Sequence, residues 1–228
     1  YLFVAGINVT GSGLATISAN YIGFNFGQTV TVADTVAGAG TDLLITSKLG
    51  NENRHGTVTK AGVGTLELTG VSNDIDPWAI NAGTLLVNSS LLGAVNVNSN
   101  ATVGGIGSIA GLVTANSDGH IAPGTNSMGA TLTLTGGLTL NDGSILDVDV
   151  DTLGGTGDSI MISGGTFTGA TSTGGVTVAV TTSGNEAGFY TLIDWSSASD
   201  SGVDFDDFKL IYNGTEDNRR LSFSGDTL

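Results

Sequence analysis

Three carboxylates alternate with valines in Asp147-Val148-Asp149-Val150-Asp151. In an extended strand such residues share one face, with neighbouring carboxylates about 7 Å apart. That spacing suits either a calcium site or acid–base work on a polysaccharide. No Lys or Arg lies within ten residues of the trio to act as base or clamp. The sequence therefore reads Asp147, Asp149 and Asp151 as a solvated strand face, with calcium as the one metal for which they are the candidate ligands. Asp204, Asp206 and Asp207 form a second cluster near Lys209, without the ligand spacing of an EF-hand loop. The two histidines, His55 and His120, fall in polar or Gly-rich contexts and are expected to be solvated loop residues. No third ligand is spaced to join either in a zinc site. Gly105-Ile106-Gly107-Ser108-Ile109-Ala110 matches a loose dinucleotide pattern, but no helix signal follows it to receive a pyrophosphate. The absence of Cys excludes disulfides, thiolate metal sites and Cys catalysis. No catalytic or cofactor-binding residue is assigned, and the chain is read as not an enzyme. Asn8, Asn88, Asn100 and Asn213 begin N-x-S/T sequons, open to glycosylation if the producing cell performs it.

The elements that carry these residues are short strands. The chain has 228 residues, 37 of them Gly and only 2 Pro; 39% are hydrophobic and 12% charged, enough apolar surface for a packed core. The net charge of −15 disfavours nucleic acid and anionic membranes as partners. No apolar run is long enough to span a membrane as a helix. Starting at Tyr1 without Met, the chain is expected to be a fragment or a processed product from which a signal peptide was removed.

Helical periodicity is missing, whereas period-two segments recur: Thr65–Thr69, Val95–Asn98, Thr131–Thr135, Leu138–Leu140, Ile160–Ile162, Val176–Val180 and Leu221–Phe223. Gly64-Thr65-Leu66-Glu67-Leu68 is soon echoed by Gly83-Thr84-Leu85-Leu86-Val87, and more loosely by Ala130-Thr131-Leu132-Thr133-Leu134. A repeat at the short interval from Gly64 to Gly83, with Gly and Asn at the corners, predicts an all-β parallel β-helix of roughly ten coils and about 50 Å. The alternative is an antiparallel β-sandwich, for which Asn141-Asp142-Gly143 is the best hairpin turn. Residues 1–187 read as β-solenoid repeats. Residues 188–228, with Phe189, Tyr190, Trp195, Phe205, Phe208, Tyr212 and Phe223 beside Lys209, Arg219 and Arg220, read as a C-terminal capping segment of the same domain.

Lys60-Ala61-Gly62-Val63-Gly64-Thr65-Leu66-Glu67-Leu68 followed by Asn81-Ala82-Gly83-Thr84-Leu85-Leu86-Val87 resembles the autotransporter-associated β-strand repeat, or passenger-associated transport repeat. Ala101–Gly107, His120–Gly124 and Tyr190–Asp194 are also similar to that family. The turn Asn73-Asp74-Ile75-Asp76-Pro77-Trp78 departs from the family's usual one. The resemblance implies a right-handed β-helix, export through the bacterial envelope, and a cell-surface or extracellular location. No series of barrel strands appears, so an anchor would lie outside the chain. The expected function is a non-enzymatic structural rod or spacer, a second version of which self-assembles into filaments by end-to-end stacking. The alternatives are an adhesin for glycans or surface proteins and, on Asp147, Asp149 and Asp151, a carbohydrate-active enzyme.

Overall fold

Parallel pairing between short strands organises the whole chain. A computed structural model describes residues 2–24, 26–38, 40–50, 55–124, 129–151, 156–182, 189–216, 222 and 227–228. Arg219, Arg220, Leu221 and Phe223 lie outside the described residues. Among those described are 28 strands and one short 3-10 helix, Phe205–Asp207. They form sheets of nine, eleven, five and three strands. Apart from two short antiparallel returns, Thr156–Gly157 on Ile145–Asp151 and Thr215–Glu216 on Phe208–Tyr212, strands adjacent in sequence fall in different sheets and pair in parallel with strands of neighbouring coils. This is a parallel β-helix; the antiparallel sandwich is not formed. Its nine-stranded sheet gives nine rungs rather than ten, about 40 Å at the usual strand spacing.

The coil length follows from the register. Leu66, Leu85, Val103 and Ile121 are partners in successive coils of nearly constant length. Later coils are longer: Ile121 meets Leu146, Leu146 meets Val178, and Val178 meets Leu210. Together with Leu43, which meets Leu66, these residues make one buried aliphatic column. A second column in the nine-stranded sheet runs Val58, Trp78, Val95, Val113, Leu138 and Phe167. Alternation within each strand aims one set of side chains inward, and the parallel register stacks like upon like.

Two sequence readings need correction. Thr131–Leu134 belongs to the five-stranded sheet, paired with Ser108–Ile109 and Ser159–Ile162, so it is not a third rung beneath Thr65 and Thr84. That rung is Ala101–Gly105. The same alternation occurs on every wall of the helix, so pattern alone does not name the wall. Asn141-Asp142-Gly143 is a corner and not a hairpin. The strands it joins, Leu138–Leu140 and Ile145–Asp151, lie in different sheets. Asp142 instead receives the backbone N–H groups and hydroxyls of Thr171 and Ser172 from the next coil.

Both tryptophans are core. Trp78 stands edge-on to Phe24 with ring centroids 5.7 Å apart, and Trp195 lies against Phe167 at 5.1 Å. Within 188–228, Ile193–Asp194, Ser199–Asp200 and Phe208–Tyr212 each add one more parallel strand. Thr215–Glu216 then turns back antiparallel on Ile211 and Tyr212.

Candidate functional site

Several polar side chains that could do chemistry reach into the corners between walls. Lys60 is the extreme case. Its position falls in an inward column between Val30 and Ile80, and it is fully buried. The side chain ends at a corner, where Nζ donates to the carbonyls of Gly62 at 2.7 Å, Ala82 at 2.9 Å and Ala61 at 3.3 Å. Burial pulls its pKa down to about 8 against the opposing pull of Asp42. The glycines of the motif leave room for that corner. Gly62 has φ +77, and a Cβ there would strike the Val32 carbonyl of the coil below.

Asp42 is the counterpart acid. Oδ1 accepts from Thr35 N, Thr35 Oγ1 and Val36 N, while Oδ2 accepts from Thr65 N. Burial works to raise its pKa, but these hydrogen bonds outweigh it and hold the carboxyl below its ordinary value. Glu67 ties coils together by accepting from Thr41 Oγ1 at 2.7 Å and Asn88 Nδ2 at 2.8 Å. The turn around Ser72, Asp74 and Asp76 is a buried polar knot. Ser72 Oγ accepts from Asp74 N, Asp74 Oδ1 accepts from Asp76 N, and Asp76 meets His55 Nδ1 at 3.0 Å.

His120 is not a loop histidine. It opens the strand His120–Pro123, and its Nδ1 lies 2.6 Å from Asp147 Oδ2 on the following coil. The Asp147 hydrogen bond is the main cause of its raised pKa; burial opposes, and the charges of Asp147 and Asp118 add to the rise. Asp147, Asp149 and Asp151 do share an outward face between buried Leu146, Val148 and Val150. However, Asp147 is paired to His120, and among the described residues no three His, Asp or Glu side chains gather as metal ligands. Nearby Asp158 is buried; desolvation raises its pKa, with the charge of Asp149 adding, although it accepts from Ala130 N. Asp207 Oδ2 accepts from Asp204 N, which makes that cluster a cap on the short 3-10 turn. A histidine oriented by a carboxylate is two parts of a nucleophile-activating relay. No described hydroxyl hydrogen-bonds to the His120 ring, so the pair stands as an intercoil tie.

A polar ladder escaped the sequence reading. Asn98 Nδ2 donates to Asn81 Oδ1, Asn116 Nδ2 to Asn98 Oδ1, and Asn141 Nδ2 to Asn116 Oδ1, at 2.7, 3.0 and 3.0 Å. The signal was present: each Asn directly follows a strand of the nine-stranded sheet. Of the sequons, Asn8, Asn100 and Asn213 are exposed and Asn88 is partly buried; Asn100 donates to Ser99 Oγ, Asn88 is engaged by Glu67 and Ile106 N, and Asn213 by Thr182.

Lys60 and His120 give pH signatures of opposite sign. Lys60 has a folded-state pKa below its ordinary 10.5, so between pH 8 and 10.5 the unfolded chain holds more protons than the folded one. Stability then rises with pH across that window. Equilibrium denaturation is expected to show this rise in the native chain and lose it in Lys60→Met, while Lys60→Ala, which truncates a buried side chain and strips three carbonyls of a donor, costs about 2–5 kcal/mol near neutral pH. For His120 the folded pKa is raised above 6.5. The stabilisation is complete below pH 6.5 and disappears as pH climbs through the folded value. The Tm difference between the native chain and His120→Asn should shrink accordingly; a pH-independent difference contradicts the tie.

No protein-family model matches the chain, and no curated protein matches it.

Proposed function

We propose that the chain is a non-enzymatic structural module, a β-helical rod or spacer displayed on a bacterial surface or released outside the cell. The observation that carries this reading is the use made of the polar groups. Lys60, Asp42, Asp142 and Asp158 bind the backbone of neighbouring loops and coils, and Glu67 and the Asn ladder bind side chain to side chain between coils. Such groups hold a shape; they do not converge on a substrate. The resemblance to autotransporter-associated repeats supports export and surface display. The adhesin reading called for aromatics lined along one exposed face on which sugars could stack; both tryptophans are buried, Tyr21, Tyr190 and Tyr212 are partly buried, and the exposed aromatic rings are those of Phe26 and Phe189, far apart in the chain.

Two assays test the proposal together. Antibody or protease applied to intact producing cells should reach the protein. Purified chain incubated with neutral and acidic polysaccharides should release no reducing ends or unsaturated products. Turnover that disappears on combining Asp147→Asn, Asp149→Asn and Asp151→Asn would overturn the non-enzymatic reading.

A further inference from the structure

The outer faces of the β-helix differ in charge. Six consecutive strands of the nine-stranded sheet, from Val58–Ala61 to Thr166–Thr168, present no Asp, Glu, Lys, Arg or His to the outside. Lys60, the one charged residue in them, points inward and is buried. The eleven-stranded sheet is different: Glu67, His120, Asp147, Asp149 and Lys209 stand on its outer side. In a chain of net charge −15, a neutral face of this extent is a distinct surface.

The neutral face is also regular. Thr59, Ala79, Asn96, Thr114, Thr139 and Thr168 are register partners in one row. Two residues further along each strand, Asn81, Asn98, Asn116 and Asn141 form the amide ladder, which is a second row. Successive rungs are about 4.8 Å apart and the two rows about 7 Å apart. The side chains of both rows are held in place. Thr is stiff at χ1 because it is β-branched. In the ladder, Asn98 and Asn116 each use one N–H and one oxygen lone pair on their neighbours and keep one of each for solvent. Water on this face therefore meets a fixed array of hydroxyls, methyls and amides, with no charge to orient it otherwise.

We infer that this face binds ice. In a tetrahedral water network, two oxygens bonded to a common third at about 2.8 Å lie about 4.5 Å apart. The rung spacing of about 4.8 Å is within a few tenths of an ångström of that distance, so waters bound one per rung sit close to their places in the crystal. The side chains are already ordered, so little rotamer freedom is lost when the face meets the crystal. Other occupants fit less well. A second copy would bury roughly 400 Å² a side, half of the ~800 Å² per partner in a standard stable interface, and with Thr and Asn at its centre instead of apolar groups. A polysaccharide would need rings to stack on, and the outward positions of these strands carry no aromatic residue. The inference goes beyond the rod proposal, which stands whether or not the rod binds ice.

A single ice crystal grown in a solution of the full chain, fluorescently labelled at its amino terminus, tests it. The native chain is expected to be taken into the growing ice and to slow recrystallisation in a frozen sucrose solution. Thr114→Lys combined with Thr139→Lys puts two hydrated charges at the centre of the first row. That variant should lose both effects while keeping the native circular dichroism and unfolding midpoint. Asn96→Asp, an isosteric change at an exposed position, adds one charge without altering the packing and should weaken both effects. Thr84→Lys combined with Thr102→Lys makes the same change on the eleven-stranded sheet and should keep them. A native chain that the ice rejects, a Thr114→Lys/Thr139→Lys chain that is still taken up, or a Thr84→Lys/Thr102→Lys chain that loses activity would each overturn the inference. So would a dimer in sedimentation that Thr114→Lys/Thr139→Lys abolishes, since a second copy would then be the occupant of the face.

Discussion

The parallel, in-register backbone ladder is the constraint on which everything else depends. Each strand takes its position from the coil below, so an inward residue must stack on an inward residue at the strand spacing of about 4.8 Å. The column from Leu43 through Leu66, Leu85, Val103, Ile121, Leu146 and Val178 to Leu210 is the result. A misfit in one coil is passed to its neighbours, because interiors are packed like solids and relax only in part. Length can still vary where it does not touch the ladder. The coil from Leu146 to Val178 is much longer than the one from Leu85 to Val103, and the added residues lie between the paired positions.

The ladder also creates the polar problem that the corners solve. Wherever the chain turns from one wall to the next, carbonyls and N–H groups lose their strand partners and need others. A buried ammonium serves the carbonyls near Gly62 and Ala82, and the Asp42 carboxylate serves the N–H groups of Thr35, Val36 and Thr65. Along the outer flank, side-chain amides repeat the backbone's logic, each Asn bonded to the one below. Ionisable groups placed this way have shifted pKa values for structural reasons, so a perturbed pKa here does not single out a reaction centre.

How much of this the sequence discloses depends on whether a feature is local or created by stacking. The interval from Leu66 to Leu85 is one coil, and it reads directly because register and repeat are the same quantity. Asp147, Asp149 and Asp151 read correctly as outward because alternation is local. The burial of Lys60 is not legible from its type, because the carbonyls that hold it come partly from Ala82 in the next coil. His120 misleads for the same reason: its partner Asp147 is distant in sequence and becomes adjacent only after one full coil. The buried knot at Ser72, Asp74 and Asp76 lies in a turn outside the alternating strand pattern, so the alternation offered no guide to it.

Cross-linking tests the stacking itself. The native chain has no Cys, so the double variant Thr84→Cys/Thr102→Cys carries a single pair, on outward residues that are register partners in adjacent coils. Neighbouring strands stand about 4.8 Å apart, inside the Cα separation of about 4.4–6.8 Å that a disulfide accepts. Mild oxidation should close an intramolecular disulfide rapidly and nearly completely in the folded monomer. Thiols that stay free, or that join only between molecules, would contradict the parallel register and the account built on it.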